Sequence, residues 1–182
     1  MRSDPDRVKK SGQELLGRIE DVMSRSDWTG LLDLADMLPR MPRTFVTGAG
    51  RSGLVARSFG MRLMHLGLTA HIPGETITPA AAKGDLLVAI STTGSTGFTV
   101  YLAERAKQLG ATVVAITSEG DSVLAKLADE VIIIPADSPD IVIRAAVFEH
   151  AASLCLDSVF NVLAEFLKVN IEDFRKHHAN LE

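Results

Sequence analysis

Four short, almost wholly apolar runs constrain this chain more than any other feature. They read "RTFVTG", "DLLVAIS", "TVVAITS" and "EVIIIPA", and a fifth run, "LTAHI", lies between the first two. A strand that is wet on one face alternates apolar and polar residues. These runs do not, so both of their faces must be covered, as in a parallel sheet with helices on each side. The segments between them agree. Ser52 to Leu66 has a helical pattern ending at Gly67, Phe98 to Leu109 is closed by Gly110, and Ser122 to Ala128 forms a shorter helix. The spacing predicts an α/β fold, a three-layer α/β/α sandwich around five parallel strands.

Helices flank this core. Leu15, Leu16, Ile19, Val22 and Met23 recur at helical spacing, and Leu31, Leu32, Leu34, Ala35 and Leu38 continue the pattern until Pro39 and Pro42 stop it. A long apolar helix from about Asp140 to Leu167 follows the last strand, and "IEDFRKHHANLE" closes the chain. The 182 residues are expected to form one domain, with a helical lead-in (1–42), the α/β core (43–135) and C-terminal helices (140–182). A net charge of -4 and a pI near 5.7 offer no basic field for nucleic acid or an anionic membrane. The opening "MRSDPDRVKKSGQELL" has no apolar stretch of the kind that directs secretion, and "LLVAI" and "VIII" are too short to span a bilayer. A cytoplasmic location is the expectation. Cys155 is the sole cysteine, so no internal disulfide forms, and it reads as a packing residue.

Two loops carry the chemistry. In "TFVTGAGRSGLVARSFGMRL", Gly48, Gly50 and Gly53 satisfy G-x-G-x-x-G after a strand and before a helix. A dinucleotide site would place an acidic residue about 20 positions later. Glu75 is near that distance but lies beyond Pro73 and Gly74, in a turn. The second loop, "ISTTGSTGF", offers Ser91, Thr92, Thr93, Ser95 and Thr96 just before another helix. Hydroxyls beside free N–H groups at a helix N-terminus make an anion site. One or two hydroxyls would cap the helix; five beside two glycines suit a phosphate monoester. Both loops follow the carboxyl ends of parallel strands, where open α/β sheets bind ligands. A sugar phosphate fits that crevice better than a dinucleotide.

"GAGRSG", "MRLMHLG", "GETITP", "GDLLVAIS", "LADEVIIIPA" and the terminal "HANLE" together resemble the 6-phospho-3-hexuloisomerases of the sugar isomerase (SIS) domain family. The likeness runs from about Thr44 to the end. It implies a five-stranded parallel sheet between helices. The implied activity is interconversion of D-arabino-hex-3-ulose 6-phosphate and fructose 6-phosphate, a step of formaldehyde fixation by the ribulose monophosphate pathway. It also implies homo-oligomers, dimers or tetramers, whose active sites are shared between subunits. Many relatives read S-G-S-G-E-T in the second loop; this chain has Ser95 where they carry the acidic residue. The change removes a negative charge beside a phosphate dianion.

Moving a carbonyl from C3 to C2 requires taking the C2 proton and returning it to C3 through an enediol. The reaction calls for a base poised near neutral pH and donors at the developing oxyanion, but for no metal or redox cofactor. Glu149, in "AAVFEHAA" where the long helix opens, has apolar neighbours that would raise its pKa. The resemblance implies that it is the base. The alternative is a structural carboxylate paired with Arg144 or His150, and Glu75 is the rival base. By the same resemblance His178 aligns with a terminal histidine lent across a subunit boundary for acid–base work. Adjacent His177 would point about 100° away on a helix, which disfavours a metal site built on the pair. Ser52, Ser91, Thr93 and Thr96, with Gly50 and the charge of Arg51, are the candidates for holding phosphate. His65, in "LMHLG", is either a satisfied core histidine or a substrate contact.

Overall fold

The computed structural model describes residues 4–180. Two helices, α1 (Pro5–Ser24) and α2 (Trp28–Met37), lead into a 3-10 turn at Leu38–Arg40. Strands β1 (Thr44–Gly48), β2 (Ala70–His71), β3 (Leu86–Ile90), β4 (Thr112–Thr117) and β5 (Glu130–Ile133) pair in parallel in the order β2-β1-β3-β4-β5. Helix α3 (Gly50–His65) joins β1 to β2, α4 (Gly97–Gln108) joins β3 to β4, and α5 (Val123–Leu127) joins β4 to β5. The long α6 (Ile141–Phe166) and the short α7 (Ile171–His177) complete the chain.

The three layers follow from alternation along buried strands. Leu86, Val88 and Ile90 face a core shared with α1, α2, α3 and α6, centred on Leu34, Phe59, Leu63, Phe148 and Leu156. Leu87 and Ala89 face the opposite core with Val113, Ala103, Ala106 and Leu124. Alanines dominate that second face, which lets α4 pack closely on the sheet. Burial of β3 on both sides is complete, with no residue more than 3% exposed.

Two details differ from the sequence reading. The lead-in is broken at 25–27, where the Asp27 side chain caps Gly30 N–H and the Asp27 N–H donates to Ile133 O, tying the break to β5. "LTAHI" pairs only at Ala70 and His71, because β2 is an edge strand. Helix α6 keeps close to its expected span, and its 26 residues are long and apolar enough by composition to cross a membrane. Its Val147, Phe148, Ala151, Ala152, Cys155, Leu156, Val159 and Leu163 are instead buried in the core.

Candidate functional site

The first loop turns directly from β1 into α3. Gly50 has φ +57°, a left-handed conformation that suits glycine. A Cβ on Gly48 would sit 2.7 Å from the Ser52 backbone, so that glycine lets strand and helix close on each other. Ala49 occupies the N-cap and no side chain caps the helix. The first-turn N–H groups at Gly50, Arg51 and Ser52 therefore have no intrahelical acceptor, an arrangement suited to an anion. Ser52 is buried beneath them.

The second loop repeats the device at β3. Thr96 is the N-cap of α4 and its hydroxyl does not cap. It meets the buried Ser91 hydroxyl at 3.1 Å, while the Thr93 and Ser95 hydroxyls meet at 2.9 Å. The hydroxyls thus hold one another and leave the helix N-terminus open. Gly48 of β1 is in register with Ile90 of β3, so the two loops lie side by side. From β1 the chain moves to β2 on one side and then to β3 on the other. The loops therefore flank the switch point of the sheet, where α/β folds open a binding crevice.

Glu149 reaches this crevice from the third turn of α6, which begins eight residues earlier at Ile141 rather than opening at Glu149. Its side chain is only 13% exposed and pairs with Arg51 of the first loop, Nε to Oε2 3.0 Å. Burial pushes the carboxyl above its ordinary 4.5, against the opposing pull of Arg51 and, next, His150. Arg144, the alternative partner, turns instead to Ser118, Glu119 and Ala136 O. A largely buried carboxylate of raised pKa, paired with the first loop beside the uncapped α3 N-terminus, has the properties that a general base next to an anion site requires.

Other candidates lie apart from this constellation. Glu75 pairs with Arg57, on the turn of α3 beyond the loop, at 3.3 Å, and both side chains are half-exposed. His65 ends α3 while Arg51 begins it, so about 21 Å of helix separates them. His178 stacks on His65, ring centroids 5.2 Å apart and nearly parallel, and Phe174 packs on the same ring at 4.7 Å. The chain therefore holds His178 far from its own Glu149. The expectation that His177 and His178 diverge around a helix does not apply, because α7 ends at His177 and His178 is extended (φ -71°, ψ 142°). His177 lies against Gly67 instead. Among the described residues no group of histidine, cysteine and carboxylate side chains has metal-binding geometry. Buried Cys155 has its thiol pushed up to about 11, which leaves it unreactive at neutral pH.

The sequence reading missed the support behind the second loop. Thr92 O accepts from Ser118 N–H at 3.0 Å, from the Ser118 hydroxyl at 2.7 Å and from the Thr117 hydroxyl at 3.2 Å. Gly94 O accepts from Leu124 N–H at 2.9 Å. The signal was "ITSEGDS", a third hydroxyl-rich turn after a strand.

Comparison with known proteins agrees with this architecture. The SIS domain model matches residues 37–159. The chain is 42% identical to the 3-hexulose-6-phosphate isomerase of Mycobacterium gastri over 171 residues, covering 90% of this chain and 86% of that protein. It is 40% identical to the Bacillus subtilis protein of the same name, covering 82% of this chain and 85% of that one. Among solved structures, a Methanococcus jannaschii protein for which a 3-hexulose-6-phosphate isomerase function has been inferred superposes with a TM-score of 0.85 at 30% identity, covering 95% of this chain and 99% of that one. The matched core, the five parallel strands and the paired loops at their carboxyl ends place this chain in the SIS domain family.

Proposed function

We propose that this chain is a 6-phospho-3-hexuloisomerase, interconverting D-arabino-hex-3-ulose 6-phosphate and fructose 6-phosphate through a 2,3-enediol. The observation that carries this reading is Glu149, its side chain largely buried, paired with Arg51 of a helix N-terminal loop at the switch point. The relatives' names supply the substrate, and the site supplies the means of handling it.

The phosphate would rest on the first-turn N–H groups of α3 and the hydroxyls of Ser52, Ser91, Thr93 and Thr96. Arg51 would contribute charge. Glu149 would take the proton from C2 and return it to C3, its raised pKa matching a proton held only transiently. Neither step calls for a metal or an organic cofactor. In the resting chain His178 belongs to the far end of α3, so its acid–base role requires a second subunit to bring it to the crevice. Homo-oligomers with composite sites, dimers or tetramers, are part of this proposal.

A coupled assay that supplies the 3-hexulose phosphate and detects fructose 6-phosphate tests the reading, run with and without chelator. Turnover unaffected by chelation supports it. No turnover, with an aldose–ketose isomerisation of another sugar phosphate found instead, assigns the chain to a different reaction of the family. Binding without any turnover assigns it to sugar-phosphate sensing.

A further inference from the structure

We infer that Arg144 is a positioning residue for the phosphate loop, acting through Ser118 on the Thr92 carbonyl; this rests on the reading of residues 91–96 as that loop. Three donors converge on Thr92 O, two of them from Ser118. A trans peptide points its N–H opposite to its carbonyl, so fixing Thr92 O against the β4–α5 turn directs Thr93 N–H away from that turn. The bond from Leu124 N–H to Gly94 O turns Ser95 N–H away from the same turn, and it donates to the Thr93 hydroxyl at 3.4 Å.

Ser118 is itself set by Arg144. The Nη2 group of Arg144 donates to the Ser118 hydroxyl at 2.9 Å. A guanidinium only donates, so the single hydroxyl proton is committed to Thr92 O, and accepting from a cation makes that hydroxyl a stronger donor. Arg144 is fixed in turn by Ala136 O, which accepts from its Nε at 3.1 Å, and by the Glu119 carboxylate. These partners border an open pocket of about 620 Å³ formed by Ser118, Glu119 and the segment from Pro135 to Pro139. Because Glu119 offsets the charge of Arg144, the residue acts on the loop by geometry rather than by its field.

Arg144 lies in the first turn of α6, the helix that also carries Glu149. One helix thereby holds the base directly and the phosphate loop at one remove. The distance between phosphate and reacting carbons is set by a single rigid element. A lysine cannot serve, since one ammonium does not reproduce a planar fork bonded to a carbonyl, a hydroxyl and a carboxylate together.

The test uses the full-length variants Arg144→Gln, Arg144→Lys and Ser118→Ala. KM and kcat for fructose 6-phosphate are measured beside calorimetric titration with inorganic phosphate and thermal unfolding. Each variant should raise KM and the phosphate dissociation constant together by about tenfold, as loss of a charge-assisted hydrogen bond does, with kcat within about threefold of wild type. Combining Arg144→Gln with Ser118→Ala should add little, because both break one chain of bonds. Ser118→Ala removes a single oxygen, so it keeps the test decisive should Arg144→Gln unfold. Unchanged phosphate affinity in folded variants, a fall in kcat with KM unchanged, or full function in Arg144→Lys each overturns the inference. Wild-type protein that binds no phosphate overturns it as well. Wild-type protein that binds phosphate without isomerising overturns only the proposed reaction, and the titrations still decide the role of Arg144.

Discussion

The carboxyl and amino ends of the sheet carry two different kinds of chemistry. At the carboxyl end, the α3 and α4 N-termini, their hydroxyls and the Glu149–Arg51 pair form a polar crevice whose donors are left open. At the amino end, His65, His178 and Phe174 form an aromatic stack in which the buried His65 Nδ1 has no partner among the described residues. Helix α3 runs between them and keeps them about 21 Å apart. Under the proposed function the crevice holds the phosphate and Glu149 moves the proton. Under that same proposal the histidine stack would join the chemistry only through a second copy of the chain.

The largest effect that separates the two ends is on proton transfer. Glu149→Gln should lower kcat by about 10²- to 10⁴-fold and abolish solvent deuterium exchange at the substrate carbon. Glu75→Gln, at the Arg57 pair, should leave exchange close to wild type. The reverse result would move the base out of the crevice.

Next comes complementation between subunits. Glu149→Gln and His178→Ala proteins should each be impaired alone. Mixing them under subunit exchange should recover about a quarter of wild-type activity. In a two-fold dimer half the molecules are hybrids, and each hybrid keeps one intact site of two. No recovery, with exchange demonstrated by mass, would place both groups in one chain's site.

The pH dependence sharpens the contrast further. Activity should fall on the acid side as Glu149 takes up a proton, above its ordinary 4.5 because burial raises the pKa. Arg51 pulls in the other direction, so Arg51→Gln should shift that limb upward. An unshifted limb would show that Arg51 does not face the carboxylate in solution. The smallest effect belongs to the amino end. Burial, then His178, Arg62 and His177, hold the His65 imidazole below its ordinary 6.5. The unfolded chain therefore takes up a proton that the folded chain refuses. Stability is unaffected above 6.5 and falls as pH drops from there toward the folded value. His65→Gln should flatten that loss in thermal unfolding measured between about pH 7 and pH 5. An unchanged slope would assign the acid sensitivity to other groups.

The sequence by itself determined the layers and the crevice. Burial on both faces turns β1, β3 and β4 into apolar runs, and the strand-to-helix turns are written as neighbouring glycines and hydroxyls, so Gly50, Ser52, Ser91 and Thr96 were legible where they stand. These are properties of single segments. Pairings between segments were not legible. That Glu149 meets Arg51, that Arg144 meets Ser118, and that His178 docks on His65 depends on how α3, α6 and α7 sit against one another. The same holds for β2, which the apolar pattern extends over five residues and the edge of the sheet shortens to two. Core packing around Phe59, Leu63, Phe148 and Leu156 sets those placements through many small contacts spread along the chain. Only the tertiary structure decided them, because no local pattern records which side chains a packed core will bring face to face.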